Sequence, residues 1–413
     1  IEVDKTKKKR LNMKKWILMS LASITVLSAC SQKYQYTFKV KGLQADQDVY
    51  LANYFGDKLY YYDTVKSEAG VAKFNRDEVK GGVYAIVLPG PKTFEIIISE
   101  DESKIDLETD TLNFVTSMKV NKSEENKAFY AYFNYLNKMQ TQAGPLRQKG
   151  DPESKKKLAE IDNQVKAHQK ELAEKYKTSL FGAIIDMSLD PEIPEELQGD
   201  GEDKQLARYH YYKNHYFDRY HFDDDRIVRT PIFAKKIKYF FDKICVQHPD
   251  SIMVQVDKIE KKLPWKTDLY KYFIHTLTYK YETSKIMGMD AVFAQMARKY
   301  YCRDENGVTK AFWLEEQKVE AVKKAEKILK RAKKELEEAE SGTDKTAIED
   351  AKKEFEKREK KLDEAMKQDK VDEICKRGKD LWRIRIDGPA PDLILQDTTE
   401  KNWVDVKNID AKY

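Results

Sequence analysis

The sequence is poor in the residues and spacings that carry catalysis. Of 413 residues only four are cysteine, and none stands at Cys-x-x-Cys or metal-ligand spacing. A glycine-rich phosphate loop, a serine nucleophile elbow and a His-Glu-x-x-His pair are all missing. The chain therefore offers no catalytic, cofactor-binding or metal-ligating set. An excess of one charge is also missing. The formal net charge of +5 resides in residues 1–29, and the 69 basic and 69 acidic residues from Cys30 onward cancel. That balance gives no support to a nucleic-acid partner. The apolar run Trp16 to Leu27 has twelve residues, too few to span a bilayer.

What is present begins with a leader. Lys14 and Lys15 precede the apolar run, and Leu27, Ser28, Ala29 and Cys30 stand at its end, in the order of a secretory signal. These four residues resemble a bacterial lipobox. The resemblance implies that Met13 starts the protein, that residues 1–29 are upstream sequence and signal peptide, and that Cys30 is lipidated. Acyl chains there would attach the protein to a membrane. Residues 30–33 then form a tether without an acidic cluster, and for a lipoprotein of the kind it resembles this absence implies a periplasm-facing position in the cell envelope.

Residues 34–121 alternate. Tyr36, Phe38 and Val40 share a face, and Val49 with Leu51, Val71 to Phe74, Val83 to Leu88, Phe94 to Ile98 and Ile105 to Leu107 continue the pattern between turn residues. About seven short strands at this spacing predict a β-sandwich-like domain. Tyr60, Tyr61 and Tyr62 supply either a binding face or rim-packed rings. Residues 122–313 are predicted all-α. Ser123 caps a helix through Phe129, Phe133, Leu136 and Met139, Gly144 and Pro145 punctuate the chain, and a charged helix runs from Glu153 to about Tyr176. A short apolar helix, Leu180 to Leu189, ends at Asp190 and Pro191. The stretch Arg208 to Arg226 is rich in His and Tyr. Its His210, His215 and His221, with Asp223, Asp224 and Asp225, are spaced five and six residues apart. That spacing fits an aromatic core edged by ion pairs better than a metal site.

Residues 314–376 carry a heptad pattern. Val322, Ala325, Leu329, Ala332, Leu336 and Ala339 recur at steps of three and four, and Ile348, Ala351, Phe355, Leu362 and Ala365 repeat it with Arg358 in the remaining slot. Ser341 to Asp344 separates the two runs. The pattern predicts an antiparallel coiled-coil hairpin whose arm rises roughly 25 Å. It reads as an insertion dispensable for folding, with mixed charge on its outside. The remaining cysteines, Cys245, Cys302 and Cys375, leave at least one unpaired unless it bonds another chain, and Cys245 reads as a buried apolar residue beside Ile244 and Val246.

Residues 377–413 are a linker and a domain entry. Pro389 and Pro391 hold Ala390 extended, Leu393 to Leu395 and Trp403 to Val406 are strand candidates, and Asp397 to Lys401 has turn chemistry. Gly388 to Asp392, this hairpin and the terminal Lys412 and Tyr413 resemble the start of a thioredoxin-like α/β domain of the redoxin type. The β segment, the His- and Tyr-rich stretch with Arg229 to Phe233, and Ile286 to Tyr301 resemble two domains of unknown function that precede it in lipoproteins of Bacteroides-type bacteria. The resemblance implies an α+β multidomain chain that forms the N-terminal portion of a membrane-anchored thiol-disulfide oxidoreductase. Its Cys-x-x-Cys would lie past Tyr413, and envelope proteins with disulfides would be its substrates. The alternative is a non-catalytic envelope binding or scaffold module.

Overall fold

The computed structural model describes residues 34–90 and 92–383, and the backbone of 394–396 and 403–405. The leader, Cys30, the tether and the Gly388 to Asp392 entry lie outside the described residues. The described chain is α+β and divides into two compact units, 34–54 with 59–182 and 55–58 with 183–383.

The first unit holds eight strands: β1 Tyr34–Lys41, β2 Asp48–Phe55, β3 Lys58–Lys66, β4 Val71–Arg76, β5 Gly82–Leu88, β6 Lys92–Ile98, β7 Lys104–Asp110 and β8 Lys119–Lys122. They form two four-stranded sheets, β4-β1-β7-β8 and β3-β2-β5-β6. β1 runs antiparallel to β4 and parallel to β7, with Phe38 opposite Ala72 and Leu107. The alternation read from the sequence sets the register. Tyr36, Phe38 and Val40 from one sheet meet Leu51, Ile86, Phe94 and Ile96 from the other in one buried cluster.

Two helices complete this unit, α1 Glu124–Lys149 and α2 Pro152–Lys175. The expected boundary at residue 121 is crossed by the compact unit for a local reason. Ser123 accepts the N–H of Asn126, as its position predicts, and Glu102 from the β6–β7 turn accepts the N–H groups of Glu124 (2.9 Å) and Glu125 (3.2 Å). Asn126, fully buried, accepts the Ile97 N–H at 2.8 Å and donates to the Ile97 C=O at 2.7 Å. Tyr130 donates to the Glu95 C=O at 2.6 Å. Side chains of α1 thus occupy the outer edge of β6, which has no further strand to pair with. Pro145 does not end α1. Its missing N–H costs one bond near the C-terminus, and the helix runs on to Lys149 and closes at Gly150, whose φ of 65° is left-handed.

After α3 (Leu180–Ser188), the second unit contains α4 Glu202–His215, α5 Pro231–Tyr239, α6 Pro249–Glu260, α7 Asp268–Glu282, α8 Asp290–Met296, α9 Phe312–Glu340, α10 Lys345–Lys367 and α11 Lys370–Arg383. Its core is aromatic: Phe233, Phe240, Phe241, Tyr270, Tyr300, Tyr301 and Trp313 are fully buried. α5 and α8 end alike. Each continues into one π turn, closed by Cys245 N–H to the Phe240 C=O (2.9 Å) and by Cys302 N–H to the Ala297 C=O (3.1 Å). α9 and α10 form a hairpin. The heptad positions 322, 325, 329, 332, 336 and 339 on α9 and 348, 351, 355, 358, 362 and 365 on α10 are all half-buried or buried, while most of their neighbours in the arm are exposed. Further along, β9 (Ile394–Gln396) and β10 (Trp403–Asp405) pair antiparallel with Val404 opposite Leu395.

Candidate functional site

Three places in the chain drew attention in the sequence, and the structure treats them differently. The His- and Tyr-rich stretch becomes a rim of ion pairs around an aromatic cluster. Tyr216, Phe217, Tyr220 and Phe222 are buried and stack on one another and on Phe240. The charged residues between them must therefore face outward. His221 Nε2 lies 3.1 Å from Asp186 Oδ2, and Arg219 donates to the other oxygen at 2.8 Å. His215 Nδ1 lies 2.6 Å from Asp218, and His210 is exposed beside Tyr209. Arg226 forks onto both oxygens of Asp224 at 2.9 and 2.8 Å. Burial alone would raise the Asp224 carboxyl, but Arg226 overcomes it and holds the group below the usual carboxylate range. Arg229, 5% exposed, donates to Asp268 at 3.0 Å. The three histidines do not converge, and among the described residues no group of three His, Cys, Asp or Glu side chains could hold a metal ion.

The tyrosine run on β3 splits. Tyr60 and Tyr61 are exposed, with Tyr61 against Tyr50 at 4.9 Å. Tyr62 instead packs edge-on to Tyr84, donates to the Glu78 C=O and lies under Arg76. A continuous three-ring face does not form.

The cysteines are the largest departure from the sequence pattern. Cys302 and Cys375, 73 residues apart, are joined in a disulfide. Cys302 is set by the π turn that ends α8, and Cys375 lies on α11, which packs across α8 and that same turn. Cys245 is free and buried, and desolvation pushes its thiol up to about 12. A thiol in that state is a poor nucleophile at neutral pH.

The disulfide sits at the root of the α9–α10 hairpin, where the next residue forms a second clamp. Arg303 donates to Glu315 on α9 (2.6 Å), to Asp369 between α10 and α11 (3.0 Å) and to Asp372 on α11, and Lys318 donates to Asp369 at 3.3 Å. An open cleft of about 550 Å³ adjoins it, lined by Val319, Val322 and Met366 together with Arg303, Glu315 and Asp369. Of the cations lining the cleft, Arg303 and Lys318 are paired with carboxylates, and its lining includes no nucleophile. Burial acts to raise the Asp369 carboxyl, but the Asp372 N–H, Lys318 and Arg303 hold it below the usual range. A depressed carboxylate contributes stability above its unfolded pKa, near 4, and that contribution is lost as pH falls through the folded value. Acidification from about pH 5 to about pH 3 should therefore lower the thermal midpoint of the wild type more than that of Arg303→Met, in which the clamp is already open. Equal slopes in the two proteins would remove Arg303 from this role.

No helix among the described residues is long and apolar enough to cross a membrane. Residues 153–336, from the first turn of α2 to late in α9, match the model of a domain of unknown function, DUF5106. No curated protein and no solved structure matches the chain.

Proposed function

We propose that this chain is the accessory portion of a membrane-anchored, periplasm-facing thiol-disulfide oxidoreductase, lipidated at Cys30 and entering its thioredoxin-like domain at Gly388. Envelope proteins with disulfides are its substrates, and the attacking thiolate is supplied by a Cys-x-x-Cys past Tyr413. The observation that carries the reading is the Cys302–Cys375 disulfide. Such bonds persist in oxidising compartments and are rare in the reduced cytosol. The antiparallel pairing of β9 with β10 directly after the Gly388 to Asp392 entry adds support. The second reading, a non-catalytic envelope scaffold, draws on a different observation. The one free thiol among the described residues is buried.

Two measurements separate the readings. Coding sequence past Tyr413 that contains Trp-Cys-x-x-Cys within about two dozen codons supports the enzyme, and a stop codon or a serine pair there supports the scaffold. The 413-residue chain alone is expected to reduce insulin with dithiothreitol no faster than buffer. Turnover that Cys302→Ser abolishes would show that the Cys302–Cys375 pair itself cycles, and would overturn its assignment as accessory.

A further inference from the structure

The outer half of the α9–α10 hairpin is banded by charge. Residues 323–334 and 352–361, which face each other across the hairpin, hold thirteen Lys or Arg and four Glu. Residues 335–350, which form the tip, hold seven Asp or Glu and one Lys. The cations are also ordered. Lys323, Lys327, Lys330, Arg331 and Lys334 recur at steps that put them on one face of α9, and all five are exposed. Of these five only Lys334 has an ion-pair partner among the described residues, Glu338. The inward positions 322, 325, 329, 332 and 336 lie on the opposite side of the helix. The stripe is therefore not used in closing the hairpin, and it spans about 16 Å along the axis.

We propose that two copies of this chain associate through these outer halves, with the acidic tip of each hairpin against the basic middle of the other. The offset makes the arrangement self-consistent. Gly342 at the tip lies twelve residues beyond Lys330, about 18 Å along α9. When two hairpins overlap antiparallel by that length, the tip of the first meets the stripe of the second. The two-fold axis then places the second tip on the first stripe. Such a contact is isologous and closes at two copies. A parallel overlap would set stripe against stripe and tip against tip, which repel. The tip carboxylates are available for exchange. The pairs they make within the hairpin, such as Lys334 with Glu338 and Lys353 with Glu349, are widely exposed, and such pairs contribute little. No exposed large apolar side chain lies within the banded segment, so the contact is held by charge and responds to salt.

Sedimentation velocity on the full chain tests this with two charge-reversed variants, E335K/E337K/E338K at the tip and K327E/K330E/R331E in the stripe. Circular dichroism checks that both keep their helix content. The wild type is expected to dimerise at low salt and to dissociate at about 1 M salt, where the screening length falls to roughly 3 Å. Each variant alone should dimerise at least about tenfold more weakly. An equimolar mixture of the two should recover a mixed dimer, because each reversed surface then meets its complement. A wild type that stays monomeric at every salt concentration would overturn the proposal, as would a mixture that associates no better than its components. Phosphatidylglycerol vesicles provide the remaining arm. Vesicle binding lost in the stripe variant, by a protein that never self-associates, would assign the stripe to an anionic lipid surface instead.

Discussion

Replacing both Cys302 and Cys375 with alanine is expected to lower the stability of the second unit by about 4 kcal/mol in non-reducing urea denaturation. The magnitude follows from the length of chain that the bond closes. A loop of 73 residues loses several kcal/mol of unfolded-state entropy when its ends are tied, and native disulfides generally contribute 2–5 kcal/mol. Within that loop lies the whole α9–α10 hairpin, whose seam of small residues buries little area, so that its root is held by the bond, the Arg303 clamp and the buried Trp313 at the start of α9. The native state should survive the change. Val371 is 2% exposed, and Gly378 fits so closely on the π turn after α8 that a Cβ there would stand 2.3 Å from the Ala297 Cβ. α11 therefore remains docked through packing. Reductant supplies the control. It should bring the wild type down to the double variant and leave the double variant unchanged. A wild type indifferent to reductant would mean that the bond contributes nothing to folding in solution.

Much of the architecture is legible in the sequence because it is local. The six inward positions on each hairpin helix follow from spacing alone, since a 3.6-residue period leaves no other face for them. The sandwich strands follow from alternation, and Ser123 and Asp151 cap helices where their side chains can reach the third N–H. The disulfide was hidden for the opposite reason. Cys302 and Cys375 meet only because α11 returns across α8 after an intervening hairpin, and no spacing rule reports a contact made by topology. The same return corrects the view of the hairpin as an insert that can be cut freely. Joining Leu314 to Cys375 would remove Glu315, Lys318, Asp369 and Asp372, and with them the three carboxylates that pair with Arg303. Only the arm outside these residues is separable. In the His- and Tyr-rich stretch the carboxylates are taken up by pairing. His221 and Arg219 take Asp186, Arg226 takes Asp224, and the aromatic rings between them turn inward.

Asn126→Leu should cost about 3 kcal/mol of stability in the first unit, nearly as much as the loss of the disulfide in the second. Nothing in the sequence marks this residue. It looks like one polar position in the first turn of a capped helix, where asparagine is ordinary. Its side chain, however, is fully buried and carries both bonds that a neighbouring strand would make to Ile97. Leucine shares its branching at Cγ but satisfies neither group, so a buried N–H and a buried C=O lose their partners together. Each orphaned group costs about 1–3 kcal/mol, against which leucine returns only part by its own burial. Asn126→Asp sharpens the test. Aspartate keeps the acceptor for the Ile97 N–H but sets a carboxylate oxygen against the Ile97 C=O. It should be destabilised at neutral pH and partly recover as the solution is acidified and the carboxyl gains a donating proton. That is the reverse of the acid sensitivity expected at Asp369. A loss below about 1 kcal/mol in both variants would mean that water or a shifted α1 closes the β6 edge equally well. The position of α1 would then be set by its apolar face rather than by this amide.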